Sequence, residues 1–382
     1  MNRLVIIGNG FDLAHRLKTS YKDFIDWYWN KRIEAFVGNT TKISEDCLCK
    51  LAIDDDADVT CWNVFAFENS YFKDFRSNNT CFGYEVIKKK ILNHPELFSF
   101  DCTPFFKSIL LSIETKGWVD IENEYYHFLK KCSRNNISGY ASKELNRQFN
   151  YLQEKLVEYL CTIDTPKENS IISCALNDDI KVEDLSIEGK NLAKAMGNIT
   201  YNSDTFDDSR YLEERFSGLR PNHTMLLCFN YTATAMIYEQ HGGFLLNYIH
   251  GELNHPEHII FGYGDELDVD YKSILEKNDN ELMKNIKSIK YLETSNYHKM
   301  LDFIMAAPFQ VLIMGHSCGN SDRTLLNTVF EHKNCISIKP YYHERENGGD
   351  NYLDLVQNIL RNFTNMQLFR DRVVNKEQCQ RM

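Results

Sequence analysis

The chain of 382 residues is 43% hydrophobic and 25% charged, which is typical of a globular protein and leaves room for two domains. Its 43 Lys and Arg residues against 54 Asp and Glu residues give a formal net charge of −11, so nucleic acid is not an expected partner. No segment approaches the roughly 18 apolar residues that a membrane-spanning helix needs, which argues against a membrane protein.

The N-terminal sequence lacks the pattern of an export signal, because its apolar run covers only Leu4 to Ile7 before Gly8. The 12 cysteines include no C-x-x-C pair and the histidines form no H-E-x-x-H motif, so no metal site is expected. We therefore expect reduced thiols and a cytoplasmic location.

The first predicted element is a buried strand from Leu4 to Ile7, which Gly8-Asn9-Gly10 closes. Apolar residues then recur at helical spacing from Tyr21 to Tyr28. Several amphipathic helical patterns follow, so residues 31–215 are interpreted as a large, mainly helical insertion.

Strands return in the last part of the chain. Apolar runs predict them at residues 225–229, 245–249, 259–261, 311–314 and 336–338. Helical patterns lie between several of these runs, and strands that alternate with helices are typical of a mostly parallel sheet with helices on both faces. The sequence therefore predicts an α/β fold with a core of residues 1–30 and 216–382.

Five strand ends carry small or polar residues. They read Gly8-Asn9-Gly10-Phe11-Asp12, Asn230-Tyr231-Thr232, His250-Gly251-Glu252, Gly262-Tyr263-Gly264-Asp265 and Gly315-His316-Ser317. Parallel strands place their carboxyl ends on a common edge, where open α/β sheets bind ligands. The pattern predicts a ligand site at that edge.

The first loop suits a tight turn that brings backbone close to a ligand, and the following helix would offer N–H groups to a phosphate. The dinucleotide pattern G-x-G-x-x-G fails, because Leu13 stands at the third glycine position, which disfavours a dehydrogenase. Asp12 is open to two interpretations, a helix cap or a contact to ribose hydroxyls. A strand-to-helix turn that binds nothing is a further alternative.

The segment Gly315-His316-Ser317-Cys318-Gly319 matches the nucleophile-elbow pattern G-x-S-x-G of α/β-hydrolases. Asp322 and His343 could complete a catalytic triad with Ser317, but neither follows a convincing strand. A polar turn that holds ribose or phosphate is the favoured interpretation, and an esterase remains an alternative.

His250 follows an apolar strand directly, and Asn230 follows the neighbouring one. Histidine titrates near neutral pH and can serve as a general base, although a single buried histidine is often only structural. Its place at a strand end favours the functional interpretation.

These residues together resemble the AbiH family of bacterial phage abortive-infection proteins. The resemblance rests on five segments, which are Leu4 to His15 with Thr19-Ser20-Tyr21, Trp118 to Glu122, Phe229 to Thr232, Ile249-His250-Gly251, and Gly315-His316-Ser317 with Asp322. It runs from the first strand to about residue 342.

The same order of motifs is similar, more distantly, to Rossmann-like SIR2 domains, which bind NAD. The resemblance implies Asn230 and His250 as catalytic residues. It implies a nucleotide site made of Gly8, Asn9, Gly10, Phe11, Asp12, Gly315, His316, Ser317 and Asp322. Asn9 and Asp12 depart from the small residues usual in that first loop, and the absence of a paired C-x-x-C module argues against a deacetylase.

The resemblance implies an antiphage defence protein that binds NAD or a related nucleotide and hydrolyses the nicotinamide–ribose bond. The alternative is a nucleotide-sensing or interaction module without turnover, within a defence system. Residues 31–215 could cover the site or form a homo-oligomer interface, and a partner from the defence system is a further expectation.

Overall fold

The computed structural model describes residues 1–38, 43–53, 83–93, 98–134, 140–197, 199–202, 213–216, 219–345 and 348–382. The chain forms two compact units. The first comprises Met1–Leu17, Asp164–Lys272 and Asn285–Met382, and the second comprises Lys18–Ile163 and Ser273–Lys284. This division differs from the predicted one, because residues 164–215 belong to the first unit and residues 18–30 to the second.

The described residues form strands and helices in the following order. The strands are β1 (Asn2–Ile7), β2 (Ile43–Glu45), β3 (Cys49–Ile53), β4 (Phe98–Cys102), β5 (Ile199–Asn202), β6 (Glu213–Phe216), β7 (Thr224–Cys228), β8 (Leu245–Tyr248), β9 (Phe309–Met314) and β10 (Cys335–Pro340). The helices are α1 (Asn9–Ala14), α2 (Tyr21–Gly38), α3 (Tyr84–Ile87), α4 (Pro104–Lys116), α5 (Ile121–Arg134), α6 (Tyr140–Leu160), α7 (Ser170–Asn177), α8 (Ile187–Ala195), α9 (Met236–Gly242), α10 (Val269–Leu275), α11 (Asn280–Met283), α12 (Lys287–Lys290), α13 (Asn296–Ala306), α14 (Arg323–Phe330), α15 (Tyr352–Arg361) and α16 (Met366–Arg372).

The first unit is built on a parallel sheet of five strands in the order β10-β9-β1-β7-β8. The first strand along the chain lies in the centre, the next two sheet strands lie on one side of it, and the last two lie on the other. Counted along the chain, this order matches the first five strands of the Rossmann order 3-2-1-4-5-6, and it reverses direction between β1 and β9. The predicted α/β class with a mostly parallel sheet is confirmed.

Four of the five apolar runs predicted as strands after residue 216 are strands, within a residue or two at each end. The prediction for residues 259–261 is wrong, since these residues form no strand. Ile260 is buried and its N–H donates to the carbonyl of His250. The run is apolar because it packs into the core as a loop, which strand periodicity cannot distinguish from a short buried strand.

The sheet is covered by helices on both faces. Leu4 and Ile6 of β1 point into one cluster, which includes Ile304 of α13 and Val329 of α14. The alternate residues Val5 and Ile7 point into another cluster, with Ile172 and Leu176 of α7 among its members. This packing explains why residues 164–177 belong to the first unit, because the apolar face of α7 covers the sheet. Full burial of such a side chain stabilises the fold by about 1.5–3 kcal/mol.

The second unit is mainly helical among its described residues, as predicted. It contains α2 to α6 and a small antiparallel sheet in the order β2-β3-β4, which the sequence did not indicate. Its core is aromatic, with Trp29 of α2 packed near Tyr84, Phe100 and Phe106. Among the described residues of the whole chain, no helix combines the length and apolarity that crossing a bilayer demands.

Glycines allow the backbones of the loops after β1 and β9 to pack closely against each other. A Cβ at Gly8 would lie 2.5 Å from the Cα of His316, and one at Gly10 would lie 2.8 Å from the Cα of Gly315. Gly315 has a φ of +73°, and a Cβ there would lie 2.0 Å from the amide nitrogen of Phe11. The two loops therefore pack backbone against backbone, with room for hydrogen atoms only.

We predict that Gly315→Ala destabilises the first unit by more than backbone strain alone would. Gly243 is the matched control, because it has a φ of +65° with nothing within 4 Å of a Cβ. Gly243→Ala should lower the free energy of unfolding by about 1 kcal/mol, and Gly315→Ala by about 3 kcal/mol or more, since it adds a clash to the strain. Urea unfolding measures both, and equal losses would show that the loops are not in tight contact.

Candidate functional site

The carboxyl edge of the parallel sheet gathers the predicted site residues. The last residues of the strands align in register, since Ile7 pairs with Cys228 and with Met314, and Cys228 pairs with Tyr248. The loops that begin with Gly8, Phe229, Ile249 and Gly315 therefore start at the same level. The prediction that strand-end loops meet at one edge of the sheet is confirmed for these four, whereas the fifth predicted loop, Gly262-Tyr263-Gly264-Asp265, follows no strand.

Asp322 is the centre of a buried polar cluster at this edge. It lies in a 3-10 turn, Asn320–Asp322, directly before α14. Its Oδ1 lies 2.7 Å from the Nζ of Lys287 and 3.2 Å from the Nε2 of His250, and its Oδ2 lies 3.5 Å from the Nε2 of His316. The Lys287 side chain is 0% exposed and the Asp322 side chain 9%, so the ion pair is largely removed from water.

Burial and the neighbouring charges set the protonation of His250. Burial lowers the pKa of His250 to about 4, and the ammonium of Lys287 acts in the same direction, while Asp322 opposes both. Burial would raise the pKa of Asp322, but Lys287 and His250 together hold that pKa well below its usual range. At neutral pH the carboxylate is therefore charged and the His250 imidazole is neutral.

The neighbours of each imidazole indicate which nitrogen carries the proton. The backbone N–H of Cys318 donates to the Nδ1 of His316 over 3.0 Å, which places the proton of that ring on Nε2. The Nε2 of His250 faces the Asp322 carboxylate, and a lone pair there would repel it. We therefore assign the His250 proton to Nε2 as well, which leaves Nδ1 as its basic atom.

Aromatic rings hold the two imidazoles in place. The ring of Phe229 lies edge-on to His250, at 4.9 Å between centroids, and 4.3 Å from His316. The ring of Tyr291 is stacked on that of His250, and its hydroxyl lies 3.2 Å from Nε2. These contacts restrict the imidazole orientation before any ligand binds.

A second set of polar side chains lies around Asp12 of α1. Its Oδ2 accepts a hydrogen bond of 2.7 Å from the hydroxyl of Thr232, while its Oδ1 is buried without a partner. Burial raises the pKa of Asp12, and the nearby polar side chains of Thr232, Thr234 and Asn230 act against that rise. Asp12 is thus tied to the loop after β7, and the alternative of a simple helix cap receives no support because the cap residue of α1 is Gly8.

The predicted catalytic residues Asn230 and His250 are both buried at the same sheet edge, but their polar atoms have different partners. The Nδ2 of Asn230 donates to the carbonyl of Gly8 over 3.0 Å, and Asn230 contributes to the group around Asp12. His250 belongs to the Asp322 cluster instead. Phe229 contacts the histidines of the Asp322 cluster, and the next residue, Asn230, lies near Asp12. The loop after β7 therefore contributes to both sets of polar residues.

The backbone amides of the loop after β1 are already hydrogen-bonded within the protein. The N–H groups of Gly8, Gly10 and Phe11 donate to the carbonyls of Met314, Gly315 and Gly8, respectively. They are therefore engaged by backbone rather than directed at an incoming phosphate. Asn9 is exposed at the start of α1. A nucleotide-binding role for Gly8, Asn9, Gly10 and Phe11 stays a prediction.

The loop after β9 does not have the geometry of a nucleophile elbow. In an elbow the serine itself takes the strained conformation, whereas here the positive φ values belong to Gly315 and Cys318. Ser317 is exposed, and Asp322 contacts Lys287 and two histidines rather than His343. The esterase alternative loses its structural basis.

Two members of the cluster, Lys287 and Tyr291, were not predicted. Both lie in the helical stretch between β8 and β9, where Lys287 resembles any solvated lysine in sequence.

The ammonium of Lys287 already neutralises Asp322, and no three His, Cys, Asp or Glu side chains in the described part of the chain are arranged to hold a metal ion.

We predict that Lys287→Met raises the pKa of His250 above its present value of about 4, because it removes a positive charge and leaves Asp322 to stabilise an imidazolium. Proton NMR titration of the imidazole measures this. Lys290→Met is the control, since Lys290 pairs with Glu293 on the surface and should leave the pKa unchanged. An unaltered His250 pKa in Lys287→Met would contradict the charge assignment.

We also predict that the chain loses stability as the pH falls from 6.5 to about 4. The unfolded His250 takes up a proton near pH 6.5, whereas the folded one resists until about pH 4, so the loss occurs between these values. His250 should contribute up to about 1.4 kcal/mol per pH unit. Urea melts of His250→Asn should show a correspondingly weaker pH dependence, and His298→Asn, an exposed histidine, should behave as the parent chain. Identical slopes for all three would contradict this prediction.

Comparison with known proteins identifies the family. A family model described as Bacteriophage abortive infection AbiH matches residues 4–342, which covers the parallel sheet and the whole Asp322 cluster. No curated protein and no solved structure matches the chain. The resemblance expected from the motifs is confirmed, and the chain belongs to the AbiH family of bacteriophage abortive-infection proteins.

Proposed function

We propose that this protein defends the cell against phage by binding NAD or a related nucleotide at the carboxyl edge of the sheet and hydrolysing its nicotinamide–ribose bond. The observation that carries the proposal is the Asp322–His250 pair, a neutral imidazole held by a buried carboxylate at a strand end. Strands ordered as in a Rossmann fold place ligands at this edge.

The chemistry fits the groups that are present. Nicotinamide leaves its ribose as a neutral molecule, so the reaction needs no strong general acid. The Nδ1 of His250 would accept a proton from water or from a ribose hydroxyl. Asp322 would stabilise the imidazolium that forms, through the proton on Nε2.

Asn230 and Asp12 would serve the ribose. The amide of Asn230 retains its carbonyl oxygen for a ligand hydroxyl while its Nδ2 donates to Gly8. The unpartnered Oδ1 of Asp12 is an acceptor that a ribose hydroxyl could satisfy after a local opening of the loops. Positioning by these groups would supply much of the rate enhancement.

Incubation of the purified chain with NAD tests the proposal through the release of nicotinamide. His250→Asn should lower the rate by about 10²–10⁴-fold, since it removes the general base. His298→Asn is the matched control, because this exposed histidine lies on α13 and should retain the parent rate. Equal rates in parent and His250→Asn proteins would remove His250 from the reaction.

A nucleotide sensor without turnover is the second candidate. It is favoured by Asn9 and Asp12, which replace the small residues usual in the first loop of SIR2 domains. A sensor should bind NAD, measured by calorimetry, and release no nicotinamide. An enzyme should do both.

A further inference from the structure

Two cysteines of the second unit face each other across the small antiparallel sheet. Cys49 of β3 pairs in register with Cys102 of β4. The neighbouring pair, Leu48 and Thr103, is hydrogen-bonded, because the N–H of Thr103 donates to the carbonyl of Leu48 over 2.8 Å. Hydrogen-bonded and non-hydrogen-bonded pairs alternate along an antiparallel ladder, so Cys49 and Cys102 form a non-hydrogen-bonded pair.

This position brings the two side chains close together. Directly opposite residues point to the same face of a sheet, and in a non-hydrogen-bonded pair their Cα atoms lie about 4.5 Å apart. Disulfides span Cα separations of about 4.4–6.8 Å, so the backbone needs little movement to link these residues. Both cysteines are free thiols here.

The surroundings of the two thiols differ. Cys49 is buried, and its Sγ lies 3.3 Å from the hydroxyl of Tyr28, which in turn donates to Asp46. Cys102 is half-buried and therefore reachable by a small oxidant. Cys102 is therefore the thiol that an oxidant reaches first, and Cys49 lies where it can attack the oxidised sulfur.

We propose that Cys49 and Cys102 are an oxidation site that closes reversibly into a cross-strand disulfide on exposure to a peroxide. The Cys102 thiolate attacks one peroxide oxygen and becomes a sulfenic acid, with water as the product of the other oxygen. The Cys49 sulfur then attacks the Cys102 sulfur, and the hydroxyl leaves as a second water. Two thiols and one hydrogen peroxide thus give one disulfide and two waters, and a dithiol reductant restores the thiols.

The rate should rise with pH. Burial raises the pKa of Cys49 to about 12 and also raises the pKa of Cys102, although Lys107 opposes the latter. The thiolate is the reactive form, so it is scarce at neutral pH and more abundant in alkaline solution. On oxidation, Tyr28 loses its thiol neighbour and keeps Asp46.

The test uses the full chain, treated with hydrogen peroxide, alkylated in denaturant and digested. Mass spectrometry should find a peptide pair that links Cys49 to Cys102, about 2 Da lighter than the sum of the two thiol peptides, and absent after dithiothreitol. In Cys49→Ser, Cys102 should accumulate as a sulfenic acid that dimedone captures. Cys132→Ser, which removes another half-buried thiol of this unit, should leave the linked pair unchanged.

The exposed thiols of Cys161 and Cys174 report whether the oxidant has acted. If they are oxidised while Cys49 and Cys102 both remain open to alkylation, the proposal is overturned. A link from either cysteine to a different partner would also overturn it. Because the mapping is made on the parent chain, the result does not depend on whether Cys49→Ser folds.

Discussion

The buried ion pair between Lys287 and Asp322 is the interaction on which the candidate site depends. Removing a carboxylate from water costs several kcal/mol, which attraction and hydrogen bonds must offset. Lys287 supplies the opposite charge at 2.7 Å, and the two imidazoles approach the same carboxylate. Burial lowers the pKa of the His250 imidazole, and the ammonium of Lys287 adds to this effect while the Asp322 carboxylate opposes it. Burial and this ion pair together therefore set the position and the charge of the proposed base.

The parallel sheet assembles this cluster from distant parts of the chain. His250 comes after β8, His316 and Asp322 come after β9, and Lys287 comes from the long connection between those strands. The glycine contact between the loops after β1 and β9 lies beside the cluster, at the point where the strand order reverses. Rossmann folds place ligands at that point. The connection from β8 to β9 thus links the two strands and also supplies Lys287, the partner of Asp322.

The sequence predicted the five strands of the parallel sheet and the edge where they end, because a parallel sheet buries near-continuous apolar runs such as Leu4–Ile7. It could not predict Lys287, since nothing local distinguishes a buried lysine from a solvated one, and only tertiary packing places it against Asp322. The apolar run at 259–261 led to a false strand prediction, because an apolar sequence indicates burial but not hydrogen-bonded pairing with another strand. The sequence placed α7 in the insertion because an apolar helix face does not reveal which core it covers.

The protonation of His250 is the central claim, and long-range proton–nitrogen NMR of the labelled imidazole at pH 7 tests it most directly. Burial and the charge of Lys287 predict a neutral ring, and the Asp322 carboxylate predicts that its proton is on Nε2, with a free lone pair on Nδ1. A doubly protonated ring would contradict the account because it has no basic atom. A ring with its proton on Nδ1 would contradict it too, because its basic atom, Nε2, would face Asp322 rather than a ligand.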